Sequence, residues 1–101
     1  MADDGPSGYS ILPRGLSSPR MASPRLYVGP EVGCWAMRTV SELWKPRTLF
    51  ISENGCSADD APAANGQVND PDRIMYLRNY LPHFRRAIAE GYPLKGYFLW
   101  T

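Results

Sequence analysis

The most regular pattern of apolar positions in the chain lies between residues 70 and 91. Five large apolar residues recur there at spacings of three and four: Ile74, Leu77, Leu81, Phe84 and Ile88. This periodicity predicts a helix with one apolar stripe. Asp70 and Pro71 suit its N-cap and first position, and Gly91 suits its C-terminal cap. We expect Pro82 to kink the helix without ending it, because the stripe continues in register.

A second helix is predicted between Pro30 and Pro46. Gly29 can cap its start, proline is tolerated at the first helical position, and the second proline stops it. One face of this helix would carry four apolar residues at spacings of four, four and three: Val32, Ala36, Val40 and Leu43.

Two short apolar runs flank the longer helix and predict strands. The first covers residues 48–52 and ends at the polar turn Glu53-Asn54-Gly55, and the second covers residues 97–101. A nearly continuous apolar run is typical of a strand buried on both faces of a parallel sheet. The order of strand, loop, helix and strand therefore predicts a βαβ unit and an α/β fold.

A single βαβ unit leaves much of its surface uncovered. One helix covers only one face of a two-stranded sheet, so we expect the other face of residues 49–51 and 98–100 to meet water. Such a pattern is typical of a larger α/β protein. Residues 1–24 are rich in proline, glycine and serine, which disfavours both a helix and a central strand. We therefore divide the chain into an irregular segment, residues 1–24, and a structured part, residues 25–101.

Charge and composition argue against several classes of function. The net charge of +1 gives no broad field for nucleic acid or an anionic membrane. No apolar run approaches the roughly 20 residues of a membrane span. The first residues lack the basic start and apolar stretch of a secretory signal, so a cytoplasmic location is expected. Cys34 and Cys56, with His83 as the single imidazole, argue against a zinc site, and we expect no metal and no cofactor.

Glu53 is the first candidate for chemistry by its position. A carboxylate at the carboxyl end of a parallel strand lies where barrel enzymes place catalytic groups. On position alone, a loop residue or a cap is the commoner explanation of such a glutamate. Trp100 lies at the end of the second predicted strand, where a core aromatic is again the commoner explanation.

The residues around Glu53 resemble the nucleophile signature of glycoside hydrolase family 1. Residues 51–55 read Ile-Ser-Glu-Asn-Gly, which is similar to the family's I/V-T/S-E-N-G motif. Further similarities lie in the family's order along the chain: residues 21–24, residues 28–31, Trp35, residues 68–77 (V-x-D-x-x-R-x-x-Y-L) and residues 90–100 (E-G-x-P-x-x-G-Y-F-x-W). The resemblance covers most of residues 20–101.

This resemblance implies a partial (β/α)8 TIM barrel preceded by a helix and an irregular segment. Strand seven would lie at residues 48–53, helix seven at residues 71–90 and strand eight at residues 95–101. The resemblance also implies that Glu53 is the nucleophile that forms a covalent glycosyl-enzyme, and that Trp100 lines the subsite for the glycone. The implied function is a retaining β-glucosidase whose partner is a β-glucoside or a related small saccharide.

The acid/base motif of the family, T-x-N-E-P, has no counterpart in this sequence. Retaining hydrolysis needs two carboxyl groups about 5–5.5 Å apart. We therefore predict a fragment of a β-glucosidase-type hydrolase that is inactive as an isolated chain. Two alternatives stay open, namely a non-catalytic, barrel-derived binding protein and a pseudogene product. The sequence determines neither the sugar nor the oligomeric state.

Overall fold

The computed structural model describes residues 15, 19–23 and 27–100 of the 101-residue chain, so most of the predicted irregular segment lies outside the described residues. It contains two helices and two strands, in this order: α1 (Val32–Trp44), β1 (Leu49–Asn54), α2 (Pro71–Ala89) and β2 (Leu94–Leu99). The two strands pair in parallel. The predicted α/β class and the parallel pairing are therefore confirmed.

The ladder between the two strands is irregular. The paired residues are Leu49 with Leu94, Phe50 with Gly96, Ile51 with Tyr97 and Asn54 with Leu99. Ser52 and Glu53 fall in the irregularity between Ile51 and Asn54 and have no paired residue on β2. The apolar run predicted a strand that ends at Ser52, and the family resemblance implied one that ends at residue 53. The structure places Glu53 inside β1. Irregularities of this kind re-aim side chains and are over-represented beside active sites.

The C-terminal end of α2 follows the sequence prediction. Gly91 has a left-handed backbone with φ 95°. Its amide donates to the carbonyl of Ile88 (3.0 Å), and the amide of Tyr92 donates to that of Ala87 (3.1 Å). This pair of bonds is a Schellman cap, and it turns the chain towards β2. The helix also continues without a break through Pro82, as expected.

The N-terminal end of α2 differs from the prediction. Pro71 occupies the first turn, but the preceding Asp70 has a left-handed backbone (φ 51°) and makes no side-chain bond to the helix amides. Its carboxylate instead accepts a hydrogen bond from Arg73 Nη1 at 2.9 Å. Asp70 thus occupies the predicted N-cap position, but the expected side-chain cap is absent and its carboxylate binds the Arg73 guanidinium.

The apolar stripe predicted for α2 is largely wrong. The helix buries Tyr76, Tyr80, Phe84 and Ala87, whereas Ile74, Leu81 and Ile88 are between 43% and 52% exposed. The helix has two apolar faces, and the buried one is aromatic. Tyrosine rings can fill a core when their hydroxyl groups find partners, which the pattern of aliphatic residues does not reveal.

The face of α1 that packs on α2 is also different from the prediction. The buried residues are Gly33, Cys34 and Met37, whereas Val32 and Leu43 of the predicted face are mostly exposed. Gly33 explains the choice. A Cβ there would lie 3.0 Å from Cε1 of Phe84, so a larger residue would force the ring of Phe84 to shift. The helix begins two residues after Pro30.

One face of the sheet is open, as predicted. Phe50 and Phe98 are 59% and 60% exposed. The ring of Phe50 lies over Gly96, where an added Cβ atom would be 2.5 Å from its Cδ1 atom. The other face packs on α2, where Leu49, Ile51 and Tyr97 lie against the core. Within the described part of the chain, no helix is long and apolar enough to cross a membrane.

Candidate active site

Glu53 lies one residue before the carboxyl end of β1, and its side chain is exposed. It falls in the register shift of the ladder, between the paired residues Ile51 and Asn54. Within residues 15, 19–23 and 27–100, its carboxylate has no hydrogen bond or ion pair. Both oxygens are therefore available to a ligand at this edge of the sheet.

Trp100 follows β2 directly and lies at the same edge. Its backbone amide donates to the carbonyl of Asn54 at 3.0 Å, and its side chain is 60% exposed. This hydrogen bond links Trp100 to Asn54, the residue that follows Glu53. The two site residues expected from the sequence are thus brought to neighbouring strand ends.

Gly55 makes this close approach possible. A Cβ at this position would lie 1.5 Å from the carbonyl oxygen of Trp100, well inside any allowed contact. Any other residue would push the two strand ends apart. The glycine of the Glu-Asn-Gly run therefore has a packing role that joins the two strands.

Asn54 is held from both sides by tyrosines. Its Nδ2 donates to the Tyr76 hydroxyl at 2.9 Å, and its Oδ1 accepts a bond from the Tyr97 hydroxyl at 2.9 Å. The Tyr97 hydroxyl also lies 3.2 Å from the backbone carbonyl of Asn54. The donors and acceptors of the amide thereby determine its orientation.

Burial keeps both tyrosines in their neutral form. Burial is the largest cause that raises the pKa of Tyr76, and a hydrogen bond with Tyr80 adds to it. Burial also raises the pKa of Tyr97, and the nearby Cys56 thiol acts in the same direction. Both hydroxyl groups therefore keep their protons well into the alkaline range, and Tyr97 can donate to Asn54.

Arg73 anchors the long loop that follows Glu53. Its guanidinium forms a two-pronged ion pair with Asp60, in which Nη2 lies 3.0 Å from Oδ2, and it also binds Asp70. The hydrogen bond from Arg73 lowers the pKa of Asp60. The loop is held at its other side by Ser57, whose hydroxyl accepts a bond from the amide of Ser23 at 2.9 Å.

Several other carboxylates in the described residues are already paired. Asp60 and Asp70 bind Arg73, and Glu90 binds Arg86 and Arg38 at the end of α2. In the described ranges, no group of three histidine, cysteine, aspartate or glutamate side chains could hold a metal ion. Cys34 and Cys56 are both free thiols. The site thus consists of an exposed carboxylate, Glu53, and an exposed indole, Trp100, at the same edge of the sheet.

The sequence alone assigns no role to five residues that surround and support Glu53. These residues are Asn54, Gly55, Arg73, Tyr76 and Tyr97. All five fall within the family-like motifs, so the signal was present. Arg73 binds partners three and 13 positions away, whereas the roles of the other four depend on contacts between residues 22 to 45 positions apart. A linear pattern does not reveal such contacts.

A parallel βαβ unit with an exposed carboxylate at the carboxyl edge of its strands fits the architecture of α/β-barrel enzymes, and doubly wound α/β sheets place their sites at the same edge. The profile of glycosyl hydrolase family 1 matches residues 14–101. The chain therefore belongs to glycosyl hydrolase family 1, whose members fold as TIM barrels. The match begins within the predicted irregular segment, and the division at residues 24 and 25 stays a prediction.

Similar proteins agree with this family. The chain is 37% identical over 98 residues to the 1,4-beta-D-glucan glucohydrolase of Thermotoga neapolitana, covering 97% of this chain and 22% of that protein. It is 50% identical over 54 residues to the 6-phospho-beta-glucosidase AscB of Escherichia coli, covering 54% of this chain and 11% of that protein. The chain thus spans about a fifth of the length of the first of these relatives.

A solved structure gives the same result. The β-glucosidase of Thermotoga maritima in complex with noeuromycin matches 97% of this chain and 22% of its own, with a TM-score of 0.84 and 37% identity. The two helices and two parallel strands therefore match part of a family 1 β-glucosidase.

Proposed function

We propose that this chain is the part of a retaining β-glucosidase that carries the catalytic nucleophile, Glu53. The observation that supports this most directly is the contact between Gly55 and Trp100, which brings a free carboxylate and an exposed indole to one edge of the sheet. Membership of family 1 and the names of the relatives support β-glucosides as substrates.

The chemistry follows from the residues at this edge. The ionised Glu53 carboxylate attacks the anomeric carbon while the bond from that carbon to the leaving-group oxygen breaks. A second carboxyl group protonates the leaving group, and later takes a proton from the water that hydrolyses the glycosyl ester. Trp100 offers an aromatic face on which the apolar face of the sugar can stack.

The position in the barrel is part of the same proposal. β1 would be strand seven, α2 helix seven and β2 strand eight. In that arrangement the open sheet face with Phe50 and Phe98 would turn to the barrel interior. The exposed face of α2 with Ile74, Leu81 and Ile88 would pack against the next helix.

The isolated chain is proposed to be inactive. The carboxylates of Asp60, Asp70 and Glu90 are ion-paired, and no N-E-P run occurs in the sequence. Loss of general-acid help alone costs roughly 10²–10⁴-fold in rate. Loss of substrate positioning adds to that cost.

The test is a grafted barrel, in which this chain replaces the aligned segment of the Thermotoga maritima β-glucosidase. We expect this grafted barrel to hydrolyse an aryl β-glucoside, and Glu53→Gln to lower the rate by roughly 10⁴-fold or more. Glu42→Gln is the matched control, because Glu42 is exposed on α1. Equal activity of the two variants, or Glu53-dependent turnover by the isolated chain, would contradict the proposal.

A non-catalytic binding protein is the second candidate, and the open apolar surface of the described residues favours it. Trp35, Trp44 and Phe98 are all more than half exposed, and exposed apolar patches mark interaction sites. A binding module should unfold cooperatively by itself. A fragment should not, so a thermal melt of the isolated chain separates the two.

A further inference from the structure

The side-chain amide of Asn54 has a hydrogen-bond partner at each end, and it adjoins the candidate nucleophile. We infer that Tyr76 and Tyr97 are positioning residues for Glu53, which act by clamping Asn54. This inference rests on the proposed function of Glu53. It assigns a role to two hydroxyl groups that do not themselves touch the reacting atoms.

The irregular ladder is the first reason why a clamp is needed. Ser52 and Glu53 fall in the register shift between Ile51 and Asn54 and have no paired residue on β2, so the regular pairing does not set the direction of the carboxylate. Pairing resumes only at Asn54. The orientation of Glu53 therefore depends on how firmly the next residue is fixed.

Asn54 is fixed by three residues, one on α2, one on β2 and one directly after β2. Tyr97 comes from β2 and donates to Oδ1 at 2.9 Å, whereas Tyr76 comes from α2 and accepts from Nδ2 at 2.9 Å. The backbone carbonyl of Asn54 accepts from the amide of Trp100 at 3.0 Å. A change in the direction of β1 at this point would break bonds on both sides.

The tyrosine rings are themselves held in place. The Tyr76 ring stacks on Tyr80 with centroids 3.9 Å apart, and the Tyr97 ring packs against Phe84 with centroids 5.5 Å apart. The Tyr80 hydroxyl in turn accepts a bond from the amide of Gly29 at 2.8 Å. Removal of one hydroxyl therefore leaves its ring packed and removes only the hydrogen bonds of that hydroxyl. Those of Tyr97 both go to Asn54, and Tyr76 has one with Asn54 and one with Tyr80.

The first test uses the full chain and does not depend on catalysis. The chain has four asparagines and four glutamates, so selective ¹⁵N-asparagine and ¹³C-carboxyl glutamate labels give few signals. Glu53→Gln identifies the Glu53 carbon signal. We expect Tyr97→Phe and Tyr76→Phe each to shift both the Asn54 Nδ2 signal and the Glu53 carboxyl signal.

The matched control is Tyr92→Phe, which also removes one hydroxyl. That hydroxyl accepts from Arg38 Nε at 3.0 Å, between α1 and the turn after α2, and should leave both signals in place. The positioning role would be overturned if the Asn54 Nδ2 signal shifted while the Glu53 carboxyl signal did not. It would also be overturned if neither signal shifted. If Tyr97→Phe unfolds the chain, Tyr76→Phe decides the question in the same way.

The second test measures kinetics in the grafted barrel. We expect Tyr97→Phe to lower kcat by about 10- to 100-fold with little change in KM, since a small misplacement of a reacting group acts on the chemical step. A change in KM alone would overturn the inference. The grafted barrel could be inactive although Tyr97→Phe and Tyr76→Phe shift both the Asn54 and the Glu53 signals in the first test. That result would reject the proposed function and support the contact between the tyrosines and Asn54, so failure of the inference and failure of the proposed function are distinguishable.

Discussion

Gly55 is the residue on which the geometry of the site depends most. Its missing Cβ leaves room for the carbonyl of Trp100, and the neighbouring Asn54 accepts the bond that joins the two strands. The sequence predicted the position of Glu53 at a strand end and its resemblance to a nucleophile signature. It could not predict that the glycine acts on a tryptophan 45 positions away, because that contact exists only after the strands pair.

Gly55→Ala should separate Glu53 from Trp100. The added methyl group would lie 1.5 Å from a backbone oxygen, and backbone cannot rotate away as a side chain can. We expect a cost of at least about 1–3 kcal/mol in the free energy of unfolding of the grafted barrel, together with loss of activity. Gly29→Ala is the control, because its nearest contact is 4.0 Å away. Equal thermal midpoints for the two variants would show that the close approach is not essential.

Tyr76 and Tyr97, the two tyrosines that bind Asn54, should ionise at a higher pH than an ordinary tyrosine. Their pKa values are raised, chiefly by burial, so the folded chain keeps both protons at a pH where an unfolded tyrosine, with a pKa of about 10, has lost its own. The stability that they contribute is complete below that pH and is lost as the pH rises through their folded pKa values.

We therefore expect the tyrosinate absorbance of the chain to rise in two phases, and Tyr76→Phe to remove part of the later phase. The same titration in concentrated urea is the control, since all six tyrosines should then ionise together. A single phase near the ordinary tyrosine pKa in native buffer would contradict the buried network.

At the scale of the elements, the sequence predicted the order and type of the helices and strands but not which helix face is buried. In α2 the aliphatic spacing indicated Ile74, Leu81 and Ile88, whereas the structure buries Tyr76 and Tyr80. Both faces have helical periodicity, so periodicity alone cannot choose between them. The partners of the tyrosine hydroxyls, Asn54 and Gly29, decide the choice, and they come from distant parts of the chain.

Phe84 is the side chain that joins the elements. It is buried, contacts the ring of Tyr97 and lies against Gly33 of α1. Phe84→Ala should reduce the helical circular dichroism of the isolated chain, because it removes the ring that packs α2 against α1. Phe50→Ala makes the same chemical change at a ring that is mostly exposed, and should have a smaller effect. If both variants lost the same helical signal, the described core would not be what holds the helices.

At the scale of the whole molecule, the described residues leave two apolar surfaces uncovered. One is the open sheet face with Phe50 and Phe98, and the other is the second apolar face of α2 with Ile74, Leu81 and Ile88. In the proposed barrel position, further parts of a family 1 barrel would cover both surfaces.

The identity of the nucleophile is tested most directly by trapping it in the grafted barrel. The fluorine of a 2-deoxy-2-fluoro-β-glucoside destabilises the positively charged transition state of both steps. A good leaving group speeds the first step alone, so the glycosyl-enzyme forms faster than water hydrolyses it and accumulates. Peptide mass spectrometry should then find one fluoroglucosyl group on Glu53, and none in the Glu53→Gln variant. A label on a different residue, or an active barrel that carries no label, would contradict the role of Glu53 as nucleophile.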